Sequence, residues 1–147
     1  MASEMGHKPN FRTLDVTFDY DKTYLANLFD NYGAIGKTAY FNIEWQIDLL
    51  FPILYGLLFF GMIQLLILKG NQKNLYFFSF TPLFASIFDL LENSFILFFL
   101  KTNLTKITDF QVLVCTTFTK LKYTFIATSL LVILYFSASL LLKKKIT

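Results

Sequence analysis

Two carboxyl groups and an amide stand inside an otherwise apolar run, Phe88-Asp89-Leu90-Leu91-Glu92-Asn93-Ser94. At helical spacing Asp89, Glu92 and Asn93 fall at i, i+3 and i+4, so all three share one stripe of the helix. A charged side chain at the centre of a bilayer costs roughly 2.5–3.5 kcal/mol on insertion scales and therefore faces protein or a wet cavity, not acyl chains. The stripe requires partners on neighbouring helices.

The surrounding sequence makes a bilayer the relevant solvent. Of 147 residues, 55% are apolar and 19% aromatic, and the mean hydropathy is +0.53, which lies outside the soluble range and allows one domain at most. The charges gather before Trp45 and in the tail Lys143-Lys144-Lys145, leaving the middle almost bare. The basic residues form no stripe interleaved with aromatics, so no nucleic-acid partner is expected. Cys115 is the only cysteine, which rules out an intrachain disulfide and a thiolate metal site and leaves a small apolar residue in a helix. His7 is equally solitary and is read as incidental. No apolar core follows a basic start in the first 40 residues, so no secretory signal peptide is expected there.

Residues 1–23 read as a polar extended arm, and residues 24–147 as the membrane domain. The cluster from Asp15 to Asp21 lacks the glycine and closing glutamate of a calcium loop, so a solvated or partner-binding arm is expected. Leu25, Leu28, Phe29 and Tyr32 recur at helical spacing and predict a short amphipathic helix at the membrane surface, ended by Gly33 and Gly36. Gly33 to Thr38 lacks the spacing of a phosphate loop and follows no strand, so nucleotide binding is not expected.

The first span is predicted over about 43–68, anchored by Trp45, with helical pattern traceable back to Lys37. Asp48, Pro52 and Tyr55 then cluster near one membrane face. A second span runs over about 82–100 behind the Thr81-Pro82 start. Glu92 is ten residues beyond Pro82, about 15 Å along a helix, which predicts a mid-bilayer position. The segment Phe110 to Leu142 is too long for the bilayer, at roughly 50 Å. Its apolar part spans over about 121–142, and a helical extension over about 110–122 projects. That extension is expected to pack on the early first span and the amphipathic helix. The fold class is all-α, a transmembrane helical bundle of three spanning helices plus an amphipathic surface helix.

Lys69 and Lys73 share a side with Lys143 to Lys145, which by the positive-inside tendency is cytoplasmic or matrix-like. The amino terminus and the loop Lys101 to Asp109 are then outside. An arm of about 40 residues would cross without a preceding membrane segment. Lys144-Lys145-Ile146-Thr147 has the form of a dilysine retrieval signal or of an ordinary basic stop. Asn103-Leu104-Thr105 is a glycosylation sequon in a short loop. The expected location is the mitochondrial inner membrane or a bacterial plasma membrane, with the endoplasmic reticulum as the alternative.

Five spaced motifs occur in order: Leu14-Asp15-x-x-Phe18-x-Tyr20, Gly33-x-x-Gly36-x-x-x-Tyr40, Asp48-x-x-Phe51-Pro52-x-x-Tyr55, Asp89-x-x-Glu92-Asn93 and Leu121-Lys122-Tyr123. In this order they resemble a family of small, uncharacterised integral membrane proteins, mostly bacterial, over residues 14–142. The resemblance implies architecture and no activity. Members of that family usually carry a further spanning helix before the Leu-Asp motif, which this chain lacks.

Asp48, Tyr55, Asp89, Glu92, Asn93 and Lys122 are expected to converge in one polar cluster, with Lys122 pairing Asp48 or Glu92. One function for such a cluster is structural, holding the helices of an accessory (supernumerary) subunit of a larger membrane complex. The competing function is a lipid- or sterol-binding or lipid-modifying site, with Glu92 or Asp89 as acid and base and Tyr55 as donor. An enzyme is not the favoured class, no cofactor is expected, and a carboxylate metal site lacks a supporting histidine. The expected partners are membrane lipids and other membrane-protein subunits.

Overall fold

A computed structural model describes residues 12–146, with side chains to Lys143. His7 and the side chains of Lys144 and Lys145 lie outside the described residues. Helix α1 covers Lys22–Ile43, α2 Phe51–Gly70, α3 Thr81–Lys101 and α4 Asp109–Ile146. Three stretches are long and apolar enough to cross a membrane, Lys22–Gly70, Lys73–Lys101 and Asp109–Lys143. No strand occurs among the described residues. The chain is an all-α membrane bundle.

Local chemistry explains most helix ends. The Asp21 side chain accepts from the Tyr24 backbone N–H at 2.7 Å and caps α1. Pro52 and Pro82 stand in the first turns of α2 and α3, where a proline is best accommodated. Asn71 takes a left-handed conformation, φ 53°, and stops α2.

The amphipathic helix does not end at its glycines. Gly33, at φ 59° and ψ −169°, kinks α1, which then continues through Gly36 to Ile43. That backbone region is essentially confined to glycine, so one residue redirects the helix without terminating it. A π-helical turn over Glu44–Asp48 then joins α1 to α2, and the expected start of the first span at Ile43 falls in the last turn of α1. Nothing lies within 4 Å of a Cβ built on Gly33. Gly33→Ala should therefore meet a purely backbone penalty of about 1–3 kcal/mol, read as a lower melting temperature in mild detergent; an unchanged transition would show that the kink is not imposed by the fold.

Over residues 12–21 the arm is docked, not solvated. Leu14 is fully buried with Leu25, Leu28, Phe99 and Ile107. Its N–H donates to the Tyr40 hydroxyl at 3.0 Å, and the Tyr20 hydroxyl donates to Cys115 Sγ at 3.1 Å. Burial, then the adjacent Cys115, pushes the Tyr20 phenol well above its ordinary pKa. Burying a leucine typically contributes 1.5–3 kcal/mol, roughly, which opposes release of the arm.

Helix α3 buries Ala85, Ser86, Asp89, Glu92, Asn93, Ile96 and Phe99, a continuous stripe at spacings of three and four. It lies chiefly on α4. Phe88 stacks on Phe125 at 5.6 Å and meets Phe118 at 6.0 Å, filling this seam with rings. The projecting part of α4 also lies mainly along α3 instead of the first span; α1 reaches it through the core shared by Leu25, Val112 and Cys115. At the other end Ile63, Ile67 and Phe136 form a second core between α2 and α4, and Lys143 Nζ donates to the Gly70 carbonyl at 2.8 Å.

The connection between α2 and α3 changes the depth of everything that follows. Its 3-10 turns, Lys73–Phe80, fold back along α2, with Phe80 and Phe60 rings 5.6 Å apart. A Cβ on Gly56 would stand 3.4 Å from the Pro82 carbonyl. Residues 56–70 of α2 rise about 21 Å beyond that level, so α3 starts beside the middle of α2 instead of at its far end.

Candidate functional site

Helix α3 presents its acids inward because the apolar positions Leu90 and Leu91 alternate with them at helical spacing. Lys122 on α4 answers them. Its Nζ lies 2.5 Å from Glu92 Oε2 and 3.2 Å from Asp89 Oδ1. Thr119, one turn earlier on α4, donates to Glu92 Oε1 at 2.6 Å. Glu92 is fully buried and Lys122 only 5% exposed. Such a pair persists in low dielectric only when charge and hydrogen bonds are both matched.

Helix α2 joins from the other side. The Tyr55 hydroxyl donates to Asp89 Oδ2 at 3.0 Å, and Asn93 Nδ2 donates to the Asp48 backbone carbonyl at 2.6 Å. The Ser86 hydroxyl donates to the Pro52 carbonyl. The π-helical turn and Pro52 disturb the regular ladder, and α3 supplies donors there. All six expected residues thus converge; Asp48 accepts from Asn93 through its backbone carbonyl and also lines the cavity beside the others. Lys122 pairs with Asp89 and Glu92, not with the Asp48 carboxylate.

The cluster lies toward the Trp45 end of α2. Asn93 is held at Asp48, which is three residues beyond Trp45, about 5 Å along the axis. Trp45 is 59% exposed, as suits an interfacial anchor. Because residues 73–80 fold back along α2, Pro82 starts α3 beside Gly56 and not at the far end of α2.

A cavity of about 370 Å³ opens beside the lock, between α2 and α4 with α3 behind it. Asp15, Asp48, Asp89, Asn93 and Lys122 supply its polar end; Phe51, Phe59 and Ile126 supply apolar walls. Asp15 was not foreseen there, since it belongs to the arm. Glu44 was also missed: it is fully buried, with the Tyr40 hydroxyl as its polar neighbour. Its signal was its i, i+4 relation to Asp48, and the π-helical turn that alters its facing is invisible in the residue pattern.

The five sequence motifs meet in space: Leu14 on Tyr40, Phe18 on Tyr123 at 4.8 Å, Tyr55 on Asp89, and Lys122 on Asp89 and Glu92. Compared with protein-family models, curated proteins and solved structures, the chain gives no match. Chemically, the site offers one ammonium shared by two carboxylates, further acceptors and aromatic walls. It can hold a polar head beside an apolar body.

Proposed function

We propose that this protein binds a membrane lipid or similar amphiphile in the groove between α2 and α4. The single observation behind the proposal is that one cavity of about 370 Å³ carries acids, an amide and Lys122 at one end and Phe51, Phe59 and Ile126 along its walls. Ligand sites are typically apolar concavities of this order with a few placed polar groups. Glu92, Thr119 and the Lys122 ammonium form the buried lock that holds the helices in register, while Asp48, Tyr55 and Asp89 face the cavity.

The test is to purify the full chain in mild detergent and quantify retained lipid by mass spectrometry, beside Ile126→Trp. The expected result is a defined lipid near one per chain in the wild type, reduced at least fivefold in the variant at unchanged melting temperature. Identical, nonselective lipid in both would overturn the proposal.

A second reading, an accessory subunit of a larger membrane complex, is favoured by apolar side chains bare on α1 and the first turns of α4: Ile35 is 88% exposed, Phe110 72% and Leu113 59%. A lone species near 17.1 kDa that keeps its lipid would count against it. The proposal includes membership of the small membrane-protein family that the motifs resemble. It also places Lys69, Lys73 and Lys143 on the inner side of a mitochondrial inner or bacterial plasma membrane, supported by the positive-inside tendency.

A further inference from the structure

Three side chains in the groove are acceptors with little or no donor, beside the Tyr123 hydroxyl, which reaches only the Asp15 carbonyl at 3.5 Å. Asn93 is 2% exposed and lines the cavity; its Nδ2 is spent on the Asp48 carbonyl, and its Oδ1 has no partner. The Asp48 carboxylate lines the same space and makes no ion pair or hydrogen bond among the described residues. Asp15 has only a long 3.5 Å contact from the Tyr40 hydroxyl. The one cation in the lining, Lys122, is already held by two carboxylates. A buried acceptor without a donor costs about 1–3 kcal/mol, and uncompensated carboxylates near apolar walls favour a cation.

From this we infer that the groove selects an amphiphile whose head carries a protonated amine, seated among Asp48, Asp15 and Asn93 Oδ1. An anionic head would meet acids and no free cation. A hydroxyl head satisfies Asn93 but leaves the carboxylates unpaired. An ammonium supplies three donors and a positive charge together. The Phe51 and Tyr55 rings, 5.6 Å apart and edge to face, line the same end and add a favourable surface for a cation. The chain of the ligand would then run along Phe59 and Ile126, toward the interior of the layer.

This inference rests on the groove being an amphiphile site, and the experiment separates the two. The full chain in detergent is mixed with equal amounts of octadecylamine, octadecanol and stearic acid, and occupancies are read by native mass spectrometry. Phosphatidylethanolamine against phosphatidylglycerol forms a second arm. The expected result is at least tenfold higher occupancy by the amine than by the alcohol or acid. Asp48→Asn should reduce that preference to threefold or less, because its backbone carbonyl still accepts from Asn93 and the helix junction survives. Asp15→Asn, at the groove's edge, should reduce it by a smaller factor. Preference for phosphatidylethanolamine over phosphatidylglycerol would identify a phospholipid source, and preference confined to the octadecylamine arm a free long-chain amine. Equal occupancy by amine and alcohol, or preference for the acid, would overturn the amine inference alone. Failure of all the probes to bind would overturn the amphiphile site itself.

Discussion

Lys122→Met should be the most damaging single substitution in the chain, lowering unfolding stability by about 3–5 kcal/mol. It removes the ammonium 2.5 Å from Glu92 Oε2 and 3.2 Å from Asp89 Oδ1. Glu92 would remain fully buried with only Thr119 as donor. The size of the effect comes from the stranded charge and not from the worth of the pair, since replacing both partners of a buried ion pair by neutral groups is often close to neutral. Lys122→Met combined with Glu92→Gln should therefore regain part of the loss, with Thr119 still able to bond the amide oxygen and Asp89 left with the Tyr55 hydroxyl as donor. Thermal or denaturant unfolding of the detergent-solubilised chain, followed by circular dichroism, measures both. A double variant as unstable as the single one would show that the lock is not held by charge compensation.

The second large effect is expected at Gly56, where α2 and α3 approach closely. A Cβ there would stand 2.5 Å from Ser86 Oγ and 2.9 Å from Ser86 Cβ, with the Pro82 carbonyl at 3.4 Å. Ser86 cannot simply turn away, because its hydroxyl is bonded to the Pro52 carbonyl. Overpacking of this kind costs about 1–3 kcal/mol, so Gly56→Ala should lower stability by that amount and Gly56→Val by more. Adding Ser86→Gly to Gly56→Ala removes both nearest atoms and should restore part of the loss. The two substitutions are in contact, so their effects should be non-additive; strict additivity in a double-mutant cycle would contradict the close approach.

The two variants test different links. Loss at Lys122 speaks for the electrostatic closure of the α3–α4 seam, and loss at Gly56 for steric fit between α2 and α3. The groove lies where both meet, so neither variant is suited to measuring ligand preference. Asp48→Asn and Ile126→Trp are, because they alter a lining side chain without touching Lys122, Glu92 or Gly56.

Much of this architecture follows from local pattern. Acids at i, i+3 and i+4 in an apolar run demand a buried stripe, and α3 has one. Length and hydropathy are local sums, so three candidate spans and a long, projecting last helix were legible from the residues. Lys122 was legible as a counter-charge, being the lysine next to the last apolar run. Its choice of partners was not, because it depends on how α3 and α4 are rotated about their axes.

What the residue order could not express were features set by contacts between distant segments. Helix propensity marks Gly33 and Gly36 as breakers, yet a single left-handed glycine lets α1 bend and resume. The arm's polarity predicts solvation, but Leu14 and Tyr20 find partners 26 and 95 residues away, at Tyr40 and Cys115. The level of the acids along α2 required knowing that residues 73–80 turn back along it. The cavity likewise draws on the arm and on three helices. Composition and periodicity report what each segment needs to bury, and this chain states those needs plainly. Which surfaces meet them, and where an unmatched acceptor is left over, is settled by packing among elements far apart in the chain.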